Sequence, residues 1–270
     1  MKFQGSQSKG LKFHRFWKDS FFLISTLVTI LLFAGNAYAA HPLITDDTGT
    51  QGKGHVEFEI GVEQGHEKEN GVTEDTTEIV PVLAYGITDT MDIELCVPHQ
   101  FTRMKEAGMK TTEDGFSDVE IDLKWRFYEK DGLSFALRPL ISFPTGDDEK
   151  GLGAGKVGYS LLLFITKEIK PLSIDVNLGY KRNENKLDER EDIWHASLSP
   201  RFEVAKGINV VADIGMETNP DKSSDTHPVF LLGGIIYSIS KHLDMDIGLK
   251  GGLNKPETDY SILAGITFRY

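Results

Sequence analysis

The nine residues Val119–Phe127, VEIDLKWRF, decide the fold. Val119, Ile121, Leu123, Trp125 and Phe127 occupy one set of alternate positions, and Glu120, Asp122, Lys124 and Arg126 the other. A helix of 3.6 residues per turn would scatter these charges around its circumference. An extended strand puts every charge on one side and every apolar group on the other. The period of two recurs outward from this stretch. Upstream, Val56, Phe58, Ile60 and Val62 alternate with Glu57, Glu59 and Glu63, and Met91, Ile93, Leu95 and Val97 alternate with Asp92 and Glu94.

Twelve such segments are expected, at about 55–64, 76–86, 91–101, 117–128, 133–143, 157–166, 172–181, 193–204, 208–217, 227–237, 243–252 and 260–270. Each is about ten residues long, the length of a tilted strand crossing a bilayer rather than the five or six usual in soluble sheets. The connections alternate between long polar ones, such as TGDDEKGLGAGK (145–156), and tight ones, such as EKDG (129–132). Short turns on one side and long loops on the other, with an even strand count, describe an antiparallel transmembrane β-barrel of the outer-membrane type with both termini in the periplasm. The competing reading is a soluble sandwich or lipocalin-like barrel with its apolar face inward. That fold gives no reason for loop lengths to alternate by side. It would also bury rings such as Trp125, Tyr159, Tyr180, Trp194 and Phe202, whose places near segment ends suit interfacial aromatic girdles.

Both chain ends fit that reading. Residues 1–20 carry Lys2, Lys9, Lys12, Arg15 and Lys18, the apolar run FFLISTLVTILLFAG follows, and Ala37-Tyr38-Ala39 is a small-residue site. This order is that of a cleaved signal peptide over 1–39, leaving 40–54 as a periplasmic segment or lumen plug and 55–270 as the barrel. Without the leader, 24 basic residues stand against 40 acidic ones, a net of −16. Such a polyanion repels phosphate, which excludes a nucleic-acid partner. The single Cys96 excludes an intramolecular disulfide framework. The last segment, YSILAGITFRY (260–270), must close the barrel against the first, because an open edge cannot exist in lipid.

If the apolar set faces lipid, the other set faces the lumen. The expected charged lining includes Glu57, Glu59, Glu94, Glu120, Asp122, Lys124, Arg126, Arg138, Asp175, Arg201, Asp213 and Asp246, acidic on balance and therefore cation-favouring. The alternative is that these charges pair across strands as a salt-bridged core. Twelve strands lie between barrels filled by side chains and barrels with open channels. An apolar group falls on the expected lumen face as well: Leu140, Leu162, Phe164, Val211, Val229, Leu231, Ile235 and Leu263. It is either a path for apolar solutes or a packing surface for 40–54.

Other motifs are weak. GLGAGKV (151–157) departs from a phosphate loop, which needs Gly where Lys150 stands and a hydroxyl where Val157 stands. The acidic loops LDERED and PDKSSD lack calcium-hand spacing. His195 and Ser199 share a strand face, yet nothing marks a triad or an oxyanion site, so no enzyme, metal or cofactor is expected.

Four stretches carry a family resemblance: HPLITDDTGTQGKGHVEFEIG (41–61), GFSDVEIDLKWRF (115–127), FPTGDDEKGLGAGKVGYSLLL (143–163) and the ending from His242. In these the chain resembles the MetA-pathway of phenol degradation family over almost all of its mature length. The resemblance implies a passive outer-membrane transporter for small molecules, hydrophobic or aromatic ones among them, and carries over no functional residues. Likeness to outer-membrane proteins generally implies that the strand ending at Tyr270 is read by the barrel-assembly machinery. The expected surroundings are outer-membrane lipid and lipopolysaccharide. A structural or adhesive barrel with a closed lumen, acting through loops such as 103–115, is the second reading, and a membrane-embedded hydrolase the third.

Overall fold

The computed structural model describes residues 41–270 apart from Asn70; the leader expected over 1–39 lies outside them. Fourteen strand segments run along the chain: β1 (Val56–Glu69), β2 (Val72–Thr88), β3 (Met91–Cys96), β4 (His99–Glu106), β5 (Met109–Phe116), β6 (Val119–Lys130), β7 (Leu133–Phe143), β8 (Gly158–Ile169), β9 (Leu172–Arg182), β10 (Asp192–Ala205), β11 (Ile208–Glu217), β12 (Val229–Ser240), β13 (Leu243–Gly252) and β14 (Tyr260–Arg269). One 3-10 turn, Asp148–Lys150, sits in the β7–β8 loop. All pairings are antiparallel, and β1 bonds to both β2 and β14, so the sheet closes on itself.

β3 and β4 are halves of one stave, interrupted at Val97-Pro98. β5 and β6 are halves of the next, interrupted at Ser117-Asp118. β2 bonds β3 with one half and β4 with the other. Pro98 has no N–H for a ladder, and its carbonyl accepts the Ser117 N–H at 2.9 Å across the break. Counted as staves, the barrel has twelve strands, as the alternation predicts.

The seam is closed by the chain ends: the Val56 N–H donates to the Tyr270 carbonyl at 2.7 Å, and the Tyr270 N–H to the Val56 carbonyl at 2.8 Å. Outward positions are apolar and exposed, with Leu249 at 60 % and Trp194 at 63 %, whereas inward Asp92, Ser199 and Thr267 are inaccessible. Rings gather at both rims. Trp125, Phe127, Tyr128 and Phe135 contact one another near the turn end, and Tyr180 packs on Trp194 at 4.9 Å near the loop end. Among the described residues no helix is long and apolar enough to cross a membrane; strands do the crossing.

Two expected loops are strand. Residues 65–75 and 102–116 lie mostly within β1–β2 and β4–β5, whose ladders continue to the pairs Glu69–Val72 and Glu106–Met109. Above the lipid, both faces of a strand meet water, so the alternation that marks a membrane stave fades while the hydrogen-bonded ladder continues. The long-and-short rule survives at the other loop-end connections, 144–157, 183–191, 218–228 and 253–259.

Candidate functional site

Before entering β1, the chain makes a circuit of the barrel interior. His41 Nδ1 meets Asp246 of β13 at 2.5 Å. Leu43 packs against Phe230, Leu232 and Leu263. The Ile44 and Thr45 N–H groups donate to the Asp213 carboxylate of β11 at 2.8 and 2.7 Å, and the Thr45 hydroxyl to its other oxygen at 2.6 Å. Asp46 exchanges two backbone hydrogen bonds with the Asn177 amide of β9. The Thr48 N–H donates to Thr166 of β8, and its hydroxyl meets Ser134 of β7. The Gln51 N–H ends the circuit at Asp92 of β3, and its amide reaches Glu57 of β1.

This segment has no strand partner of its own, so its backbone groups need side-chain acceptors. Inward-facing Asp, Asn and Thr on successive staves supply them. Two carboxylates fix its centre. Asp46 pairs with Lys124 of β6 at 3.0 Å and Arg138 of β7 at 3.1 Å. Asp47 pairs with Arg201 of β10 at 2.9 Å, and Arg201 also holds Asp175 at 3.3 Å. Burial would raise the Asp47 carboxyl, but the cations Arg201 and Lys124 hold it below its ordinary pKa. Burial likewise opposes a charged His41 ring, and Asp246, with Glu59 and Glu63 behind it, holds its pKa above the ordinary value.

All twelve charged residues expected to line the interior point into it. Arg269 and Lys250 join them, paired with Glu57 and Asp244 and with Glu63 respectively. Of the eight apolar residues, Leu140, Leu162, Phe164, Val211 and Leu263 point inward. Val229, Leu231 and Ile235 do not. They share the outward face of β12, with Leu231 and Ile235 at 49 % and 46 % exposure, and the inward residues there are Phe230, Leu232 and Ile236. The stretch VFLLGGIIYSIS is apolar on both faces, so periodicity fixes no phase in it.

The inward apolar residues form no continuous track. Phe164 is capped by Lys124 and Arg138, at 5.4 and 4.8 Å from its ring centre, and Leu263 belongs to the cluster covered by Leu43. His195 Nε2 meets Ser197 at 3.0 Å, while the buried Ser199 hydroxyl has no partner; nothing joins the two into a nucleophile and its base.

The space left inside includes three cavities walled by described residues. One at the turn end, of about 290 Å³, is walled by Asp47–Thr50, Arg126 and Arg201. A smaller one, about 110 Å³, lies between Asp46, Gln51, Glu57, Glu94 and Arg138. The third, about 290 Å³, opens among Glu63, Glu78 and Lys250 toward the loop end. The lumen segment walls the first two. Asp46 and Asp47 anchor it, and strand periodicity misses both; the signal for them is TDDTGT (45–50), acids flanked by small hydrogen-bonding side chains.

Where the segment returns to the wall, Gly86 of β2 and Gly54 are hydrogen-bonded, the Gly54 N–H to the Gly86 carbonyl at 2.8 Å. A Cβ on residue 86 would sit 1.8 Å from the Gly52 carbonyl oxygen. Gly86→Val should therefore lift 50–54 off the wall while the staves hold. Trypsin should cut the folded variant after Lys53 much faster than the wild type, with heat-modifiable gel mobility unchanged.

Known structures share this architecture. The crystal structure of an outer membrane channel from Pseudomonas putida F1 superposes with a TM-score of 0.64 at 13 % identity, covering 84 % of this chain and all of that one. The NanC porin gives 0.51 at 8 % identity, covering 79 % of this chain and 98 % of that one. The KdgM porin, solved in complex with disordered oligogalacturonate, gives 0.50 at 8 % over the same shares. At such identities the likeness is one of fold. Among curated proteins none matches the sequence. The model of the family described as "Putative MetA-pathway of phenol degradation" matches residues 40–270, so this twelve-staved barrel with an acidic segment wound through its lumen belongs to that family.

Proposed function

We propose that the protein is a passive outer-membrane channel for small molecules, whose throughput is set by the lumen segment 41–54. One observation carries this reading. The interior is polar and holds cavities on both sides of a segment that is attached by side-chain hydrogen bonds and ion pairs rather than by a strand ladder. Such attachments exchange with water and with one another, whereas an apolar plug would be packed shut. By the loop-length rule the long loops face the outside and the tight turns the periplasm. Aromatic compounds are the favoured solutes on the family's description. The leader over 1–39 would export the chain, and the strand ending at Tyr270 would present it to the assembly machinery. We assign no catalytic role to any residue.

The test is swelling of liposomes containing refolded 40–270, in solutes of rising size, beside a variant lacking 41–52. Slow entry of the smallest solutes, with faster entry and a higher size limit in the variant, is the expected result. Swelling equal to empty liposomes for both would overturn the channel and favour a closed barrel that works through its loops.

A further inference from the structure

We infer that the cavity at the loop end is a capture site for small organic cations. β1 and β2 pair so that Glu63 faces Glu78 and, two inward positions further out beyond the Gly65–Thr76 pair, Glu67 faces Glu74. Like charges directly opposite on an antiparallel pair destabilise it, and here the arrangement occurs twice on one face. All four residues wall the same cavity of about 290 Å³.

Compensation is scarce. Lys250 and His66 are the basic residues of that wall, and both are already committed, Lys250 to Glu63 at 2.8 Å and Glu257 at 3.5 Å and His66 to Asp75 at 2.7 Å. Among the described residues, Glu67, Glu74 and Glu78 make no ion pair.

A second observation, independent of the acids, points to a ligand. Ser261 of β14 is wholly inaccessible, lies in the wall of this cavity, and its hydroxyl has no hydrogen-bond partner among the described residues. Buried hydroxyls are ordinarily satisfied. A guest with several N–H donors and no acceptor, as an ammonium group has, would donate to Ser261 Oγ and to the unpaired carboxylates together. A bare metal ion suits the site less well, because no three acidic, His or Cys groups among the described residues converge closely enough to hold one. The space admits a molecule of several heavy atoms. The inference rests on the passage reading for its physiological sense, since capture at the outer mouth would load the channel, but binding is measured without passage.

Three probes with one ring and different charge make the test: tyramine, neutral tyrosol and anionic 4-hydroxyphenylacetate. Binding to refolded 40–270 in detergent at low salt is followed by calorimetry. Tyramine is expected to bind, with the other two about tenfold weaker or worse, since charge-assisted hydrogen bonds are lost. Glu74→Gln with Glu78→Gln should weaken tyramine about tenfold, and Ser261→Ala should weaken it too, with heat-modifiable mobility retained in each. Equal binding of all three probes, or tyramine binding untouched by the double substitution, would overturn the site. A chain that binds tyramine selectively yet passes no solute would refute the channel and leave the site standing. One that passes solutes but shows no preference for tyramine would do the reverse.

Discussion

Asp46→Asn should raise the conductance of the reconstituted barrel by one to two orders of magnitude. The substitution keeps side-chain shape and the two backbone bonds to Asn177, but removes the charge shared by Lys124 and Arg138. Breaking one partner of a buried ion pair costs about 3–5 kcal/mol. Here the three side chains retain 7–21 % exposure, and cavity water softens the loss to about 2–3 kcal/mol, an estimate reduced from the buried-pair range. Each ~1.4 kcal/mol is a factor of ten in the ratio of docked to released segment. The uncovered Lys124 and Arg138 would then stand at the constriction, so permeation should also shift toward anions. Single-channel recording in planar bilayers reads both effects. Unchanged conductance and selectivity, in a variant that keeps its heat-modifiable mobility, would show that 41–54 is fixed core and no gate.

Ile235→Arg is expected to destabilise the barrel by about 2–4 kcal/mol, the cost of a guanidinium near the bilayer midplane. Ile235 pairs with Ile247 of β13, which pairs with Ala264 of β14, and all three point outward midway along their staves. Read from periodicity alone, position 235 faces the lumen, where an added Arg would meet Asp and Glu and cost little. Denaturant unfolding in phospholipid bilayers therefore separates the two placements. A loss below about 1 kcal/mol, the range of near-interface sites, would mean that the register of β12 is wrong by one residue.

These two cases mark what strand alternation carries and what it does not. Where one face is charged, as in Val119–Phe127, each residue's side was legible, and so was the whole charged lining. The phase was lost in β12, where Gly233 and Gly234 sit among Leu and Ile and neither face is polar. Strand ends were lost for a different reason: in β1, β2, β4 and β5 the outermost residues are polar on both faces because they stand in water. The lumen segment has no periodicity at all. Its conformation follows the barrel wall, so Thr45, Asp46 and Thr48 acquire meaning only when Asp213, Lys124 and Ser134, each far from them in sequence, are brought around the segment by three staves.

The interruption at Ser117-Asp118 works as a depth gauge. β6 is bonded on both edges, to β3 and β7, but β5 beyond the break is bonded only to β4 and ends the sheet order. Water can solvate an unpaired row of amides and carbonyls; hydrocarbon cannot. The oily layer must therefore stop near Val119, level with Phe143, its partner on β7. Counting down from there, the nine residues to Phe127 reach the rings of the opposite rim and match the roughly nine to eleven residues a tilted strand needs to cross. Everything above the break, including the hairpin tip at Ala107-Gly108, stands clear of the oily layer, and this backbone break fixes that height independently of hydropathy.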